Sequence, residues 1–148
     1  MHGNALGRTM GMPTANVALP EDLLLPPFGV YVTRTRVGSR IYNSVTNIGR
    51  RPTVNSDETS ILMETAILDA ELQLYGKMIE VMFLKFLRPE QKFHSFLALT
   101  AQMQRDSQNT RDWLAAHEQL WKVYDEGRHH HLAAAVRPVL QQCHQYWF

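Results

Sequence analysis

The stretch that decides the predicted fold is GVYVTRTRVGSRIYNSVTNI, residues 29–48. Residues 29–35 are rich in β-branched and aromatic side chains, a composition typical of a strand, in which successive side chains alternate between the two faces of the sheet. Gly38 and Ser39 then form a predicted turn, and residues 41–48 repeat the strand pattern. The stretch therefore predicts a β-hairpin.

Outward from this hairpin, residues 61–68 and 78–86 are two further strand candidates. Residues 74–77, LYGK, supply the turn that joins them. Short strands at regular spacing favour an antiparallel sandwich or a small barrel over a doubly wound parallel sheet. The part of the chain before residue 94 is therefore predicted to be mainly β.

Beyond residue 94 the sequence pattern becomes helical. Aromatic and apolar side chains recur at steps of three and four residues, which places them on one helix face. These residues are Trp113, His117, Leu120, Trp121 and Tyr124. Gly127 is a suitable end for this helix. A second apolar stripe follows within residues 132–147 and contains Pro138. Either the last helix is kinked at this proline, or it begins near the proline and the alanine stretch before it is a separate turn.

The composition excludes several classes of protein. The 148 residues include 15 Lys and Arg against 14 Asp and Glu, and the net charge of +1 argues against a general nucleic-acid-binding protein. The single cysteine, Cys143, excludes an intramolecular disulfide and a multi-cysteine zinc site. Three adjacent histidines, His129, His130 and His131, point in different directions, so we expect no metal site there. The sequence contains neither an apolar run of about 20 residues nor a secretory signal, so we expect a cytoplasmic protein without membrane association.

The N-terminal segment is rich in glycine and contains Gly7, Gly11 and the sequence PTAN, residues 13–16. Glycine-rich loops allow backbone N–H groups to approach phosphate oxygens, so a phosphate-binding loop is one interpretation and an ordinary turn is the other. No Gly-Lys-Ser/Thr follows, and the loop does not connect a strand to a helix, which excludes the Walker and dinucleotide-binding patterns. Thr14 and Asn16 carry neutral oxygens that suit Mg²⁺, but both residue types are also common in turns.

Six motifs, in one order, resemble the riboflavin kinase family over residues 3–106. They are GRTMGMPTAN (7–16), GVY (29–31), NIGRRPT (47–53), MET (63–65), LYG (74–76) and LRPEQKF (87–93). The resemblance implies a six-stranded antiparallel Greek-key barrel with a C-terminal helix. The family's strand before this region has no counterpart in the sequence, so the first strand of that barrel is expected to be missing. Residues 1–106 would form the barrel domain with the start of the helix, and residues 107–148 a helical C-terminal extension packed on or beside it.

The same resemblance implies that the protein transfers the γ-phosphoryl group of MgATP to the ribityl 5′-hydroxyl of riboflavin, which yields FMN and ADP. Thr14 and Asn16 would hold Mg²⁺, or another divalent cation, together with the ATP phosphates. Gly7 and Arg8 would belong to a flap that covers the nucleotide. The implied nucleotide-binding residues of this segment are Gly7, Arg8, Gly11, Pro13, Thr14 and Asn16.

Glu64 matches the family's catalytic base. A carboxylate with its usual pKa of about 4.3 is a weak base for a free alcohol. In a loose phosphoryl-transfer transition state the hydroxyl proton becomes acidic late, so a carboxylate within hydrogen-bond reach can orient the alcohol and accept the proton. The alternative for a glutamate on a strand is a side chain that faces solvent. Ala66 stands where the family usually has histidine, which removes a polar neighbour of this base.

Three further site residues follow from the same resemblance. Arg88 would line the flavin side of the site, where a guanidinium can stack on the ring or donate to its carbonyl groups; a surface salt bridge is the alternative. Asn47 would border the nucleotide pocket together with residues 51–53, RPT, although a tight strand-to-loop turn explains these residues nearly as well. Tyr75 is included among the binding residues, although a turn and packing role is favoured for it.

An ATP-dependent riboflavin kinase is the first hypothesis for the function. The second is a catalytically weak flavin- or nucleotide-binding module with a sensing or partner-binding role, and the third is a purely structural β-barrel. The His-x-Gly-His signature of FAD-forming nucleotidyltransferase domains is absent, so the expected product is FMN and not FAD. We expect small-molecule substrates, no nucleic acid, and a monomer or a fragment of a fusion with an FAD synthetase domain.

Overall fold

The computed structural model describes residues 12–20, 22–52, 59–125 and 133–136. The strands in this part of the chain are β1 (Thr14–Leu19), β2 (Gly29–Val37), β3 (Arg40–Pro52), β4 (Thr59–Ile67), β5 (Ile79–Arg88) and β6 (Ala133–Val136). The helices there are α1 (Phe96–Ala116) and α2 (Glu118–Asp125). These strands form one antiparallel sheet in the order β1-β4-β3-β2-β5-β6.

The predicted hairpin is confirmed as the pairing of β2 with β3. Its register runs from Gly29 opposite Ile48 to Val37 opposite Arg40. Gly38 closes the turn with a φ of 64°, a left-handed conformation that glycine adopts without the steric cost of a Cβ. The hairpin lies at the centre of the sheet, because β4 pairs with the other edge of β3 and β5 pairs with the other edge of β2.

The predicted mainly β architecture with a following helix is confirmed. The order β1-β4-β3-β2 is that of a Greek key, since three strands joined in sequence are followed across the sheet by a strand that is distant in the chain. Among the described residues, β1 pairs with β4 alone and β6 with β5 alone, so the closure of a barrel stays a prediction. The first strand that the resemblance expects to be missing would precede β1, outside the described residues.

One face of the sheet, here called the core face, packs the larger hydrophobic cluster of the described residues. Buried members of this cluster include Val17, Ile48, Met63, Ile67, Ile79 and Val81. The same face carries a chain of fully buried hydroxyl groups that bond to one another across β2, β3 and β4. We call this chain the hydroxyl ladder; its members are Thr33, Thr35, Ser44, Thr46 and Thr65.

The opposite face, here called the helix face, packs against α1. Leu99 and Met103 of the helix join Val45 and Ala66 of the sheet in a second buried cluster. The helix begins after Ser95, whose hydroxyl accepts a hydrogen bond of 3.1 Å from the N–H three residues further on. This cap fixes where the helix starts and therefore which of its side chains reach the sheet.

Two predictions for the C-terminal part need correction. The helix predicted through Trp113 and Tyr124 is broken at His117, whose N–H bonds back to carbonyl groups of the preceding turn and ends α1. Ala133–Val136 lies inside the extension predicted to be helical, within its second apolar stripe, but forms strand β6 on β5. The exposed edge of β5 offers backbone N–H and C=O groups, and pairing with them overrides the helix preference of an alanine run.

The remaining predictions for the tail lie outside the described residues. They concern Gly127, the histidines at 129–131, Pro138 and Cys143. The boundary between a domain of residues 1–106 and an extension of residues 107–148 stays a prediction. No helix in the described ranges is long and apolar enough to cross a bilayer.

Candidate active site

Four of the predicted site residues lie in one row across the helix face. Asn16 of β1 is the direct partner of Glu64 in β4, and Glu64 is the direct partner of Asn47 in β3. Asn47 is in turn opposite Val30 in β2, and Val30 is opposite Arg88 in β5. Directly opposed residues of antiparallel strands project to the same side of the sheet. The register therefore collects side chains that are far apart in the sequence.

The row is buried. Glu64 is only 4% exposed and Asn47 only 3%, and Asn16 is also buried. Such burial excludes the alternative in which Glu64 is a strand carboxylate facing solvent. Thr14 precedes Asn16 by two residues and so lies on the same side of β1, opposite Ala66. The structure thus brings the predicted base and the two predicted metal-binding residues onto adjacent strands.

Arg51 and Glu90 complete this site. The sequence placed Arg51 only at the border of the nucleotide pocket and assigned no role to Glu90. The Arg51 guanidinium lies between two carboxylates: one nitrogen is 3.7 Å from Glu64 Oε1 and another is 2.7 Å from Glu90 Oε1. Asn47 Nδ2 also donates to Glu90 Oε1 at 3.3 Å. Glu90 follows β5, so this contact ties the segment after β5 to the end of β3. The signal that could have found it is its place in LRPEQKF, two residues after Arg88.

Gly49 leaves room for the Glu90 carboxylate. Asn47, Gly49 and Arg51 alternate along β3 and therefore share the helix face. A Cβ at position 49 would come within 2.1 Å and 2.2 Å of the two Glu90 carboxylate oxygens. The carboxylate thus lies directly against the backbone of β3, and an amide and a guanidinium both contact its Oε1.

Arg88 is bound to the helix. Its Nε and one terminal nitrogen donate to the carboxylate of Asp106 in α1 at 2.9 Å and 2.7 Å, and the other terminal nitrogen donates to the Pro89 carbonyl at 3.1 Å. Asp106 is buried and also accepts from Gln102. The ion pair is therefore a buried joint between β5 and α1, not the surface salt bridge considered as the alternative. The predicted contact of Arg88 with a flavin ring stays a prediction.

The other predicted site residues are distributed differently. Tyr75 is 62% exposed in the turn before β5, at the end of that strand opposite to Arg88, so the structure does not bring it to the row. Pro13 precedes β1, and its carbonyl accepts the N–H of Ile67 at 2.9 Å. Gly7, Arg8 and Gly11 lie outside the described residues.

The donor set of the row suits a hard cation and phosphate. Thr14 and Asn16 offer neutral oxygens beside the Glu64 carboxylate, and Mg²⁺ prefers oxygen ligands of this kind while keeping several waters. Within the described ranges, no group of three or more His, Cys, Asp or Glu side chains is placed to hold a metal ion. The two neutral side-chain oxygens fit a cation that also binds phosphate oxygens and waters.

The comparison with protein families gives a match over most of the chain. The riboflavin kinase (flavokinase) family model matches residues 1–114. This chain belongs to the riboflavin kinase family.

Relatives of the chain are longer proteins. It is 40% identical over 114 residues to the bifunctional riboflavin kinase/FMN adenylyltransferase of Escherichia coli K12, an alignment that covers 76% of this chain and 36% of the relative. The Listeria monocytogenes protein of the same description is 38% identical over 115 residues, covering 78% of this chain and 36% of the relative. The chain thus spans about a third of the length of these relatives.

A solved structure supports the same fold. The crystal structure of a macrolide-efflux protein from Streptococcus pneumoniae matches this chain with a TM-score of 0.63 at 34% sequence identity. The match covers 76% of this chain and 36% of that one.

Proposed function

We propose that this chain is an ATP-dependent riboflavin kinase, which transfers the γ-phosphoryl group of MgATP to the ribityl 5′-hydroxyl of riboflavin and releases FMN and ADP. The observation that carries the proposal is the placement of Glu64, a buried carboxylate held between Asn16 and Asn47 by the strand register. A buried carboxylate beside neutral oxygen donors is the arrangement that this reaction needs, because it requires a proton acceptor next to a bound phosphate.

In the proposed mechanism Glu64 orients the 5′-hydroxyl and accepts its proton as the new P–O bond forms. Thr14 and Asn16 would hold the Mg²⁺ and phosphate oxygens of MgATP, and the cation would supply positive charge next to the phosphoryl group. Phosphoryl transfer depends mainly on positioning and electrostatic stabilisation, so a fixed row on a rigid sheet is a suitable scaffold.

Further elements of the proposal come from membership of the family. Gly7, Arg8, Gly11 and Pro13 would cover or border the nucleotide. The sheet would close as a six-stranded barrel around the core face. The reaction would take place in the cytoplasm, and the substrates would be small molecules.

The test is conversion of riboflavin to FMN with MgATP by the full 148-residue chain, separated by chromatography. Glu64→Gln should lower kcat by about a hundredfold or more, since the amide keeps the shape but cannot accept the proton. Riboflavin binding, followed by quenching of flavin fluorescence, should stay within about twofold of the parent because the amide does not change the flavin contacts.

The matched control is Glu80→Gln, which removes another strand carboxylate paired with an arginine, Arg36, near the opposite end of β5. It should leave kcat unchanged. A folded parent that binds riboflavin without forming FMN would contradict the kinase proposal and favour the binding-module alternative. Equal losses of kcat in Glu64→Gln and Glu80→Gln would contradict a specific catalytic role for Glu64.

A further inference from the structure

The segment of β3 that holds Glu90 has the properties of an oxyanion site. Asn47 and Arg51 both donate to Glu90 Oε1, and Gly49 between them in the strand lets that carboxylate lie against the backbone. We call these three residues the β3 cradle. A compact oxygen-bearing group with negative charge fits such a cradle, because one donor is a guanidinium and no Cβ occupies the centre.

The β3 cradle adjoins the proposed base. Arg51 is 3.7 Å from Glu64 Oε1 while it binds Glu90, so the same guanidinium faces both carboxylates. If Glu64 orients the attacking hydroxyl, the phosphorus that is attacked lies within a few ångströms of it. A phosphoryl oxygen at that position comes within reach of Arg51.

The Glu90 side chain can leave the β3 cradle. Its side chain is 32% exposed, and it belongs to the short segment after β5 that has no regular secondary structure. A carboxylate at this depth can return to water at modest cost, since it is only partly desolvated in the cradle. Arg51 is buried on strand β3 and cannot follow it.

We propose that the β3 cradle binds the transferring phosphoryl group and that Arg51 is a catalytic residue. Until the nucleotide binds, Glu90 occupies the cradle as a competing internal anion, which the nucleotide then displaces. This inference rests on the proposed function for the identity of the reaction. A lone pair of the 5′-hydroxyl oxygen forms the new bond to the γ-phosphorus, and the bond between that phosphorus and the bridging oxygen breaks. The electron pair of the broken bond leaves with ADP, and the hydroxyl proton passes to Glu64. Arg51 balances the charge on the phosphoryl oxygens throughout.

The experiment measures two quantities on the full chain: the affinity for inorganic tripolyphosphate with Mg²⁺, by calorimetry, and the steady-state constants for MgATP. Glu90→Gln should tighten tripolyphosphate binding and lower KM for MgATP, each by about three- to tenfold, because an amide competes less well for Arg51. Arg51→Gln should lower kcat by about a hundredfold or more and leave the affinity for riboflavin within about twofold. Added to Arg51→Gln, Glu90→Gln should then have no further effect on tripolyphosphate binding.

Two more variants guard against misfolding and general charge effects. Gly49→Ala retains Arg51 but fills the cradle with a methyl group, so it should weaken tripolyphosphate binding. This variant tests the cradle if Arg51→Gln does not fold. Glu80→Gln is the matched charge control: its side chain is 31% exposed and pairs with Arg36 at 3.0 Å. It should change neither measurement.

The outcomes separate this inference from the proposed function. Unchanged or weaker tripolyphosphate binding by Glu90→Gln would overturn the competition, and an unchanged kcat in Arg51→Gln would overturn the catalytic role. If the parent forms no FMN, the kinase proposal fails, yet tighter tripolyphosphate binding by Glu90→Gln would still establish the β3 cradle as an anion site. Active parent protein with a Glu80→Gln effect equal to that of Glu90→Gln would leave the kinase standing and reject the cradle.

Discussion

Both faces of the sheet bury polar groups, but the groups on the two faces differ in charge and in how they are bonded. Thr46 and Thr65 face the core, and their chain neighbours Asn47 and Glu64 face the helix. On the core face, Thr46 bonds to Thr65 at 2.9 Å and to Thr33 at 2.8 Å, so these neutral hydroxyls satisfy one another. On the helix face, Arg51 is shared between two carboxylates.

The difference shows what separates a structural polar network from one suited to bind a ligand. Asn47 Oδ1 is buried and has no hydrogen-bond partner within the described part of the chain, while its Nδ2 is used by Glu90. A buried acceptor without a partner costs free energy, and a fold keeps it where a ligand can supply the missing donor. The hydroxyl ladder has no such unused group among its members.

The largest expected effect lies at a closed network on the helix face, the Arg88 and Asp106 pair. Asp106→Ala should lower the free energy of unfolding by about 3–5 kcal/mol, because it leaves a largely buried guanidinium without its carboxylate. Replacing both partners, Arg88→Met with Asp106→Leu, should recover most of this loss. Urea unfolding of the three proteins checks it. A double variant as unstable as the single one would show that the pair is not the cause.

The sharpest test of the comparison uses two adjacent residues of β3. Thr46→Val should lower the free energy of unfolding by about 1–3 kcal/mol, since it takes a partner from two buried hydroxyls, and should leave FMN formation nearly unchanged. Asn47→Ala should do the reverse: it should change stability by less than about 1 kcal/mol and lower kcat/KM for MgATP roughly tenfold. Paired measurements of unfolding and FMN formation decide. If both variants lowered the free energy of unfolding and FMN formation equally, the core face and the helix face would not differ in function.

The smallest expected effect concerns an exposed ion pair that belongs to neither network. A hydrogen bond from Arg111, strengthened by its charge, holds the pKa of Asp69 below its usual value of 3.8 against the opposing effect of burial. A lowered pKa in the folded state stabilises the protein above the usual value, and this stability is lost as the pH falls through the folded pKa. Because both side chains are more than a third exposed, we expect less than about 1 kcal/mol.

Urea titrations between about pH 6 and about pH 2 test this sign. The parent should lose slightly more stability on acidification than Arg111→Gln, whose Asp69 has no guanidinium to lower its pKa. An Arg111→Gln protein with the same or a steeper pH dependence would contradict the assignment.

The sequence predicted what depends on local pattern or on motifs. Alternation and the turn at Gly38 were enough for the hairpin, and the motif matches named Asn16, Asn47, Glu64 and Arg88 as site residues before the register aligned them. The role of Glu90 against β3 was not predicted, because it arises from packing between segments that are far apart in the chain. Strand β6 was missed for a related reason: local preference favoured a helix, and only the edge of β5 made a strand favourable.

The strand order also determines when the site can form during folding. The β2–β3 hairpin is closed by a two-residue turn and can form from local contacts alone. Asn16 meets Glu64 only after β1 has paired with β4, and Val30 meets Arg88 only after β5 has paired with β2. Both pairings close long loops, and the entropy cost of closing them slows non-local pairing. The row is therefore assembled late, and a nascent or partly folded chain can hold an ordered hairpin while it has no site at all.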